Sequence, residues 1–151
     1  EELCDLYSRV YNLSSVIARF FNVYGDRQPV SGPYATVIGI FENQVKKNEP
    51  LTITGDGNQR RDFTHVDDIV DGVISLSNDN WSADMFQLGT GTNYSINEIA
   101  SCFSENITHI PSRPGEAPTT LADVEPIRNK IGWEAKINLK KYIQTFKDEN
   151  F

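Results

Sequence analysis

Three polar residues stand where ligand contacts are commonly made. Asn22 follows the apolar run Ser15 to Phe21, Arg61 follows the turn Gly55-Asp-Gly-Asn58, and Arg113 lies in Ser112-Arg-Pro-Gly115. Two guanidiniums and an amide brought to one place would suit a diphosphate, because a guanidinium offers paired donors to phosphate oxygens and stays charged at any working pH. Taken singly, each is a weak signal, and composition alone favours a solvated loop residue. His65, Asp67 and Asp68 could be metal ligands, but no further group stands at a compatible spacing. Two carboxylates in the first turn of a helix have a simpler explanation in the helix dipole. His109 reads as a strand residue. No Gly-x-Gly-x-x-Gly or Gly-x-x-x-x-Gly-Lys opens a helix after a strand, so the sequence holds no phosphate cradle of that kind.

The elements that must position these residues follow from periodicity. Leu3, Leu6, Tyr7 and Val10 recur at helical steps, so a helix is under way from the first residues. Ser15 to Phe21 is a short, mostly apolar run of the kind found in a strand covered on both faces. Asn22 to Tyr34, rich in Gly, Pro and polar residues, reads as a loop at a strand end. Val37, Ile38, Phe41 and Val45 mark a second helix, ended by Lys46, Lys47 and Asn48. Leu51 to Thr54 alternates as a strand, and a further strand is expected from Arg61 to His65. Val66, Ile69, Val70, Val73 and Ile74 match the amphipathic template closely.

Met85 to Leu88 is another short strand, stopped by Gly89-Thr-Gly91. Ser95-Ile-Asn-Glu98 is a capping box that opens a helix over 95–104, with Ile96, Ile99, Ala100 and Phe103 on its buried face. Ile107 to Ile110 reads as a strand and Pro111 to Pro118 as a loop. Val124 to Ile131 is a short helix ended by Gly132, and a last helix capped by Asn138 buries Leu139, Tyr142, Ile143 and Phe146. Strands alternating with helices predict an α/β fold with a parallel sheet. Ser15 to Phe21 and Met85 to Leu88 are expected to pair in parallel, and Leu51 to Thr54 with Ile107 to Ile110.

The chain has 151 residues, 14 Lys+Arg against 21 Asp+Glu, and a formal net charge of −7. This acidic balance, with no basic tract, argues against a nucleic-acid partner. No apolar run approaches the roughly 20 residues of a membrane span, and no signal-peptide pattern opens the chain, so neither membrane nor secretion is expected and cytoplasm is the default. Cys4 and Cys102 each fall in a helical pattern and read as buried, reduced thiols.

Arg19-Phe-Phe-Asn-Val-Tyr-Gly25, Leu51-Thr-Ile-Thr-Gly-Asp-Gly-Asn-Gln-Arg-Arg-Asp-Phe-Thr-His-Val-Asp-Asp68, Arg113-Pro-Gly-Glu116 and Ala122-Asp123 resemble, in order and spacing, the C-terminal half of the NAD-dependent nucleotide-sugar epimerases and dehydratases. These are extended short-chain dehydrogenases, and the likeness is to members of the UDP-glucose 4-epimerase type. The resemblance implies the last strands of a Rossmann-like parallel sheet plus a small α/β substrate-binding domain. About 1–24 and 66–91 would belong to the sheet edge, and about 25–65 and 92–151 to the substrate-binding part.

It also implies roles by position. Asn22 would contact the diphosphate of a UDP-sugar, with Phe20 and Phe21 lining the nicotinamide end of the NAD site. Arg61 and Arg113 would hold the diphosphate, and Glu116 the nucleotide ribose. Ala35 and Thr36, with Leu51 and Ile53, would border the uracil, and Phe63 falls at a position often aromatic in the family. The Gly-rich NAD turn and the Tyr-x-x-x-Lys catalytic pair of the family lie before the residue matching Glu1. Tyr7, Tyr11 and Tyr24 do not replace that pair, since none has a lysine four residues on. The expectation is therefore a sugar-nucleotide-binding half, inactive alone, of a homodimeric NAD-dependent epimerase. A dehydratase or UDP-glucuronate decarboxylase, and a non-catalytic binding module, are the alternatives. A sheet edge exposed beside Ser15 to Phe21 would favour self-association.

Overall fold

A computed structural model describes residues 1–32 and 34–151; Pro33, within the loop expected over 22–34, lies outside the described residues. Helix α1 (Glu2–Tyr11) leads into β1 (Ser15–Phe20), which pairs in parallel with β6 (Ser82–Leu88). The register slips by one residue between Ser15 and Val16, opposite Ala83, whose φ of 58° marks the extra residue. Between these strands lies α3 (Val66–Leu76), as its apolar spacing requires. Ile69 and Leu76 pack there with Trp81, Phe86 and Leu88, and the cluster is completed by Ile127 and Trp133. The Trp81 indole donates to the Leu76 carbonyl at 2.6 Å and so closes the end of α3.

A second cluster gathers Tyr24, Ile38, Phe41, Leu51, Ile53, Phe63, Ile99, Phe103, Leu139 and Ile143. It is built by α2 (Val37–Lys46), β3 (Leu51–Thr54), α4 (Ile96–Phe103), β8 (Ile107–Ile110) and α6 (Leu139–Asn150), with β3 and β8 parallel as their sequences predict. The expected strand from Arg61 to His65 is two strands. β4 (Arg60–Asp62) pairs antiparallel with β7 (Asn93–Ser95), and β5 (Thr64–His65) pairs in parallel with β2 (Val23–Tyr24), which runs inside the expected loop. The break falls at Phe63, which is buried in the second cluster.

The caps form as the sequence predicts. Ser95 Oγ accepts from the Glu98 amide at 3.1 Å while the Glu98 carboxylate accepts from the Ser95 amide at 2.6 Å. Asn138 accepts from the Lys141 amide, and α5 (Glu125–Ile131) ends at Gly132 with φ 70°. Replacing Ser95 with Ala is expected to cost about 1 kcal/mol, read as a lower urea midpoint at an unchanged slope.

The expected burial of the two thiols needs correction. Cys4 and Cys102 are free and only partly buried. The apolar stripe of α1 does not face a core: Leu3, Leu6, Tyr7 and Val10 are all exposed. No helix among the described residues is long and apolar enough to cross a membrane.

Candidate functional site

A cavity of about 320 Å³ opens where the end of β1, the start of α2, β3, β4 and the loop after β8 converge. Asn22, Ala35, Thr36, Arg61, Phe63, Arg113 and Glu116 all line it. Residues distant in sequence and singled out separately are thus brought to one place.

Arg61 is 12% exposed in its side chain and donates to Glu116 Oε1 at 2.8 Å and to the Arg60 carbonyl at 2.9 Å. Its neighbour Arg60 is used differently, gripping Asn93 through Nε and Nη2 at 2.8 and 2.9 Å and pairing with Glu98 at 3.1 Å. Strand alternation sends the two arginines to opposite faces, one to the α4 cap and one to the cavity. Arg113 lies on an exposed loop at the cavity wall.

Asn22 adopts a positive φ of 27°, and its amide Nδ2 donates to the Asp62 carbonyl at 2.8 Å and to Thr120 Oγ1 at 3.2 Å. Its donors tie the end of β1 to β4 and to the 118–120 segment, which runs alongside through the Arg60 amide to Pro118 and the Thr120 amide to Arg60. Beneath it, Asp62 is fully buried. Its carboxylate accepts from the Thr90 amide and hydroxyl, the Gly91 amide and the Ala122 amide at 2.7 to 3.2 Å. Gly89 is required at this crossing, since a Cβ there would stand 2.2 Å from that of Ala122.

Leu51 and Ile53 do not line the cavity. Both are completely buried in the second cluster, and the alternate residues Thr52 and Thr54 face the cavity instead. Alternation of side chains along a strand makes this the only outcome once Leu51 and Ile53 enter the core. Thr52 is bracketed by Gln44, which donates to its hydroxyl at 2.8 Å and accepts from its amide at 3.1 Å. Gln59 also lines the cavity and donates to the Thr54 carbonyl at 2.9 Å. Thr52, Thr54 and Gln59 are among the lining residues the sequence reading missed, with Tyr24 and the apolar Val23, Val37, Ile38, Ile40, Ile96 and Ile110, although the Leu-Thr-Ile-Thr alternation carried the signal for the first two.

Phe20 and Phe21 lie outside this cavity, at the end of β1; Phe20 is 53% exposed. His65 is the N-cap of α3, accepting through Nδ1 from the Asp67 amide at 3.2 Å. Asp68 is buried and accepts from the Lys136 and Ile137 amides at 3.0 Å, which fastens the chain before α6 to α3. These groups have structural partners, and no cluster of three His, Cys, Asp or Glu able to hold a metal occurs among the described residues. Tyr24, also at the cavity wall, is 1% exposed, and burial pushes its phenol well above the usual tyrosine range, which unfits it as a base.

Comparison with known proteins gives the family. Residues 1–89 match the model of the NAD dependent epimerase/dehydratase family. The chain belongs to that family. An epimerase/dehydratase relative, a putative UDP-glucose 4-epimerase of Methanocaldococcus jannaschii, is 35% identical over 150 residues, covering 95% of this chain and 48% of the relative. UDP-glucuronic acid decarboxylase 2 of Arabidopsis thaliana is 31% identical over 147 residues, covering 93% of this chain and 32% of that protein. The crystal structure of UDP-glucose 4-epimerase from Thermotoga maritima with UDP-glucose superposes with a TM-score of 0.89 at 26% identity, over 98% of this chain and 50% of that one. The chain spans about half the length of these family members, or less. Its α/β architecture with parallel strand pairs is that of the extended short-chain dehydrogenases.

Proposed function

We propose that this chain forms the sugar-nucleotide-binding part of an NAD-dependent epimerase acting on a UDP-sugar. The observation that carries the proposal is the convergence of Arg61 and Arg113 on one cavity whose other walls are hydroxyls, amides, apolar side chains and the Glu116 carboxylate that pairs with Arg61. Its volume of about 320 Å³ falls at the lower end of the range for small-molecule sites. The arginines take the diphosphate, and Glu116 both orients Arg61 and offers an acceptor to ribose hydroxyls. Thr36, Thr52, Thr54 and Gln59 supply polar contacts at the nucleoside end, with Leu51 and Ile53 supporting them from behind. Asn22, its donors committed, fixes the strand end against which the diphosphate lies.

Phe20 and Phe21 take the nicotinamide end of NAD in this reading, which is supported by the exposed Phe20 ring and the partly exposed Phe21 at the carboxyl end of a parallel strand. NAD, when bound, supplies the hydride acceptor and donor of such chemistry. The chain's own contribution is orientation: diphosphate contacts remote from the sugar hold it in one pose.

Addition of UDP to the labelled chain is expected to shift the amide resonances of Thr36, Thr54, Arg61 and Glu116 and to leave those of Ser101 and Lys141 in place. A uniform or absent response would overturn the assignment. With neither a Gly-rich turn opening a helix nor a Tyr-x-x-x-Lys pair in its sequence, the 151-residue chain is expected to give no NADH and no epimer from UDP-glucose and NAD. Turnover above background would contradict this. A decarboxylase reading is favoured by the identity with the Arabidopsis protein and uses the same diphosphate contacts. Carbon dioxide release from UDP-glucuronic acid by the complete protein would select it.

A further inference from the structure

Glu42 stands on the side of α2 away from the cavity, partly buried beside α6 and the segment after β2. Its carboxylate accepts from the Tyr142 hydroxyl at 2.9 Å and from Gln28 Nε2 at 3.0 Å. With its N–H drawn to that carboxylate, Gln28 turns its carbonyl to Thr36, whose hydroxyl donates to it at 2.6 Å. The Thr36 oxygen then accepts from the Gly39 amide at 3.1 Å, which is the N-cap of α2. The donors point inward from both ends, Gly39 to Thr36 to Gln28 to Glu42 and Tyr142 to Glu42, so the carboxylate is the shared acceptor that links α6 to a residue of the cavity wall.

We propose that Glu42 is a positioning residue for the sugar-nucleotide cavity: a doubly accepting carboxylate that sets the orientation of Gln28 and thereby holds Thr36 and the start of α2 in place. Its role in ligand affinity rests on the reading of that cavity as a UDP site, whereas its role in holding the cap does not. The polarity of the chain explains why a carboxylate is needed. The carboxylate accepts from both donors whichever way it is turned, whereas a leucine at this position accepts from neither and leaves Gln28 free to turn its N–H away.

The groups facing Glu42 are Tyr142 from α6, Gln28 and Asp26 from the segment after β2, and Lys46 from the last turn of α2 itself. Burial outweighs the hydrogen bonds from Tyr142 and Gln28 and the charge of Lys46, and the Glu42 carboxyl lies above the usual glutamate range. A folded-state pKa raised in this way means that Glu42 favours the fold most below its unfolded value, a contribution lost as the pH rises through the folded value. At neutral pH its charge is therefore a cost to stability.

Glu42→Leu separates the two effects. The unfolding midpoint at pH 7 is expected to stay within about 3 °C of wild type, the span of roughly one lost weak interaction in a chain of this size. The Gly39 amide is expected to exchange about fivefold faster, and UDP to bind about fivefold more weakly, as for loss of an N-cap. Tyr142→Phe keeps Gln28 oriented and is expected to leave both readouts within about twofold of wild type. Wild-type exchange and affinity in Glu42→Leu would overturn the proposal. So would a midpoint falling well beyond that span, or an equal response in Tyr142→Phe, since each indicates generic loosening. If the wild-type chain bound no UDP, the functional reading would fail while Gly39 exchange still decided the role of Glu42.

Discussion

Asp62→Ala is expected to cost about 3 to 5 kcal/mol, the scale of leaving buried partners of a charged group unsatisfied. Alanine would strand the amides of Thr90, Gly91 and Ala122 and the Thr90 hydroxyl, all of which now bond the carboxylate of a residue with no exposed surface. Whole domains are stable by only about 5 to 15 kcal/mol, so the variant should sit near the margin of folding. For a chain of this length the loss corresponds to a fall of roughly 10 °C or more in the unfolding midpoint. Asp62→Asn is a graded control: it keeps one acceptor oxygen but turns N–H toward N–H at the other, and should fall between wild type and alanine. A midpoint for Asp62→Ala within about 2 °C of wild type, the range of ordinary surface substitutions, would contradict the account.

Asp62 also shows where sequence reading stops. Its partners lie 28, 29 and 60 residues away, and nothing in Arg-Arg-Asp-Phe distinguishes a buried carboxylate from a solvated one. Local rules, by contrast, carried far. The capping box at Ser95, the stop at Gly132, the Asn138 cap and the period of α3 depend on neighbours within a few residues, and each formed as expected. The parallel pairings of β1 with β6 and β3 with β8 followed from short apolar runs separated by helices.

Other features depended on tertiary context. Phe63 splits one expected strand into β4 and β5 because its ring enters the core. The apolar stripe of α1 is correctly helical, yet the period of a helix does not say what covers it. The resemblance brought the 51–54 strand to the site, but the residues that line the cavity are Thr52 and Thr54, since Leu51 and Ile53 face the core. The Arg61–Glu116 pair, spanning 55 residues, joins two residues that sequence reading had given separate tasks.

That pair bears on the central claim. A diphosphate at this site meets a guanidinium only 12% exposed and already oriented, where a hydrogen bond to a charged group is worth about 1.5 to 3 kcal/mol. Arg61→Ala removes that donor and leaves the Glu116 carboxylate uncompensated beside an anion, so its loss should be at the upper end. Arg113, on an exposed loop, should lose toward the lower end. Lysine at either position keeps the charge without the planar fork, and a bidentate site should remain impaired.

The most direct measurement is calorimetric titration of UDP into the chain and into Arg61→Ala and Arg113→Ala. The account expects measurable binding by the wild type and a weakening of roughly 10- to 150-fold in the variants, the equivalent of about 1.5 to 3 kcal/mol. Alanine variants that bind UDP within about twofold of wild type, as substitution of solvated loop arginines would give, would contradict it.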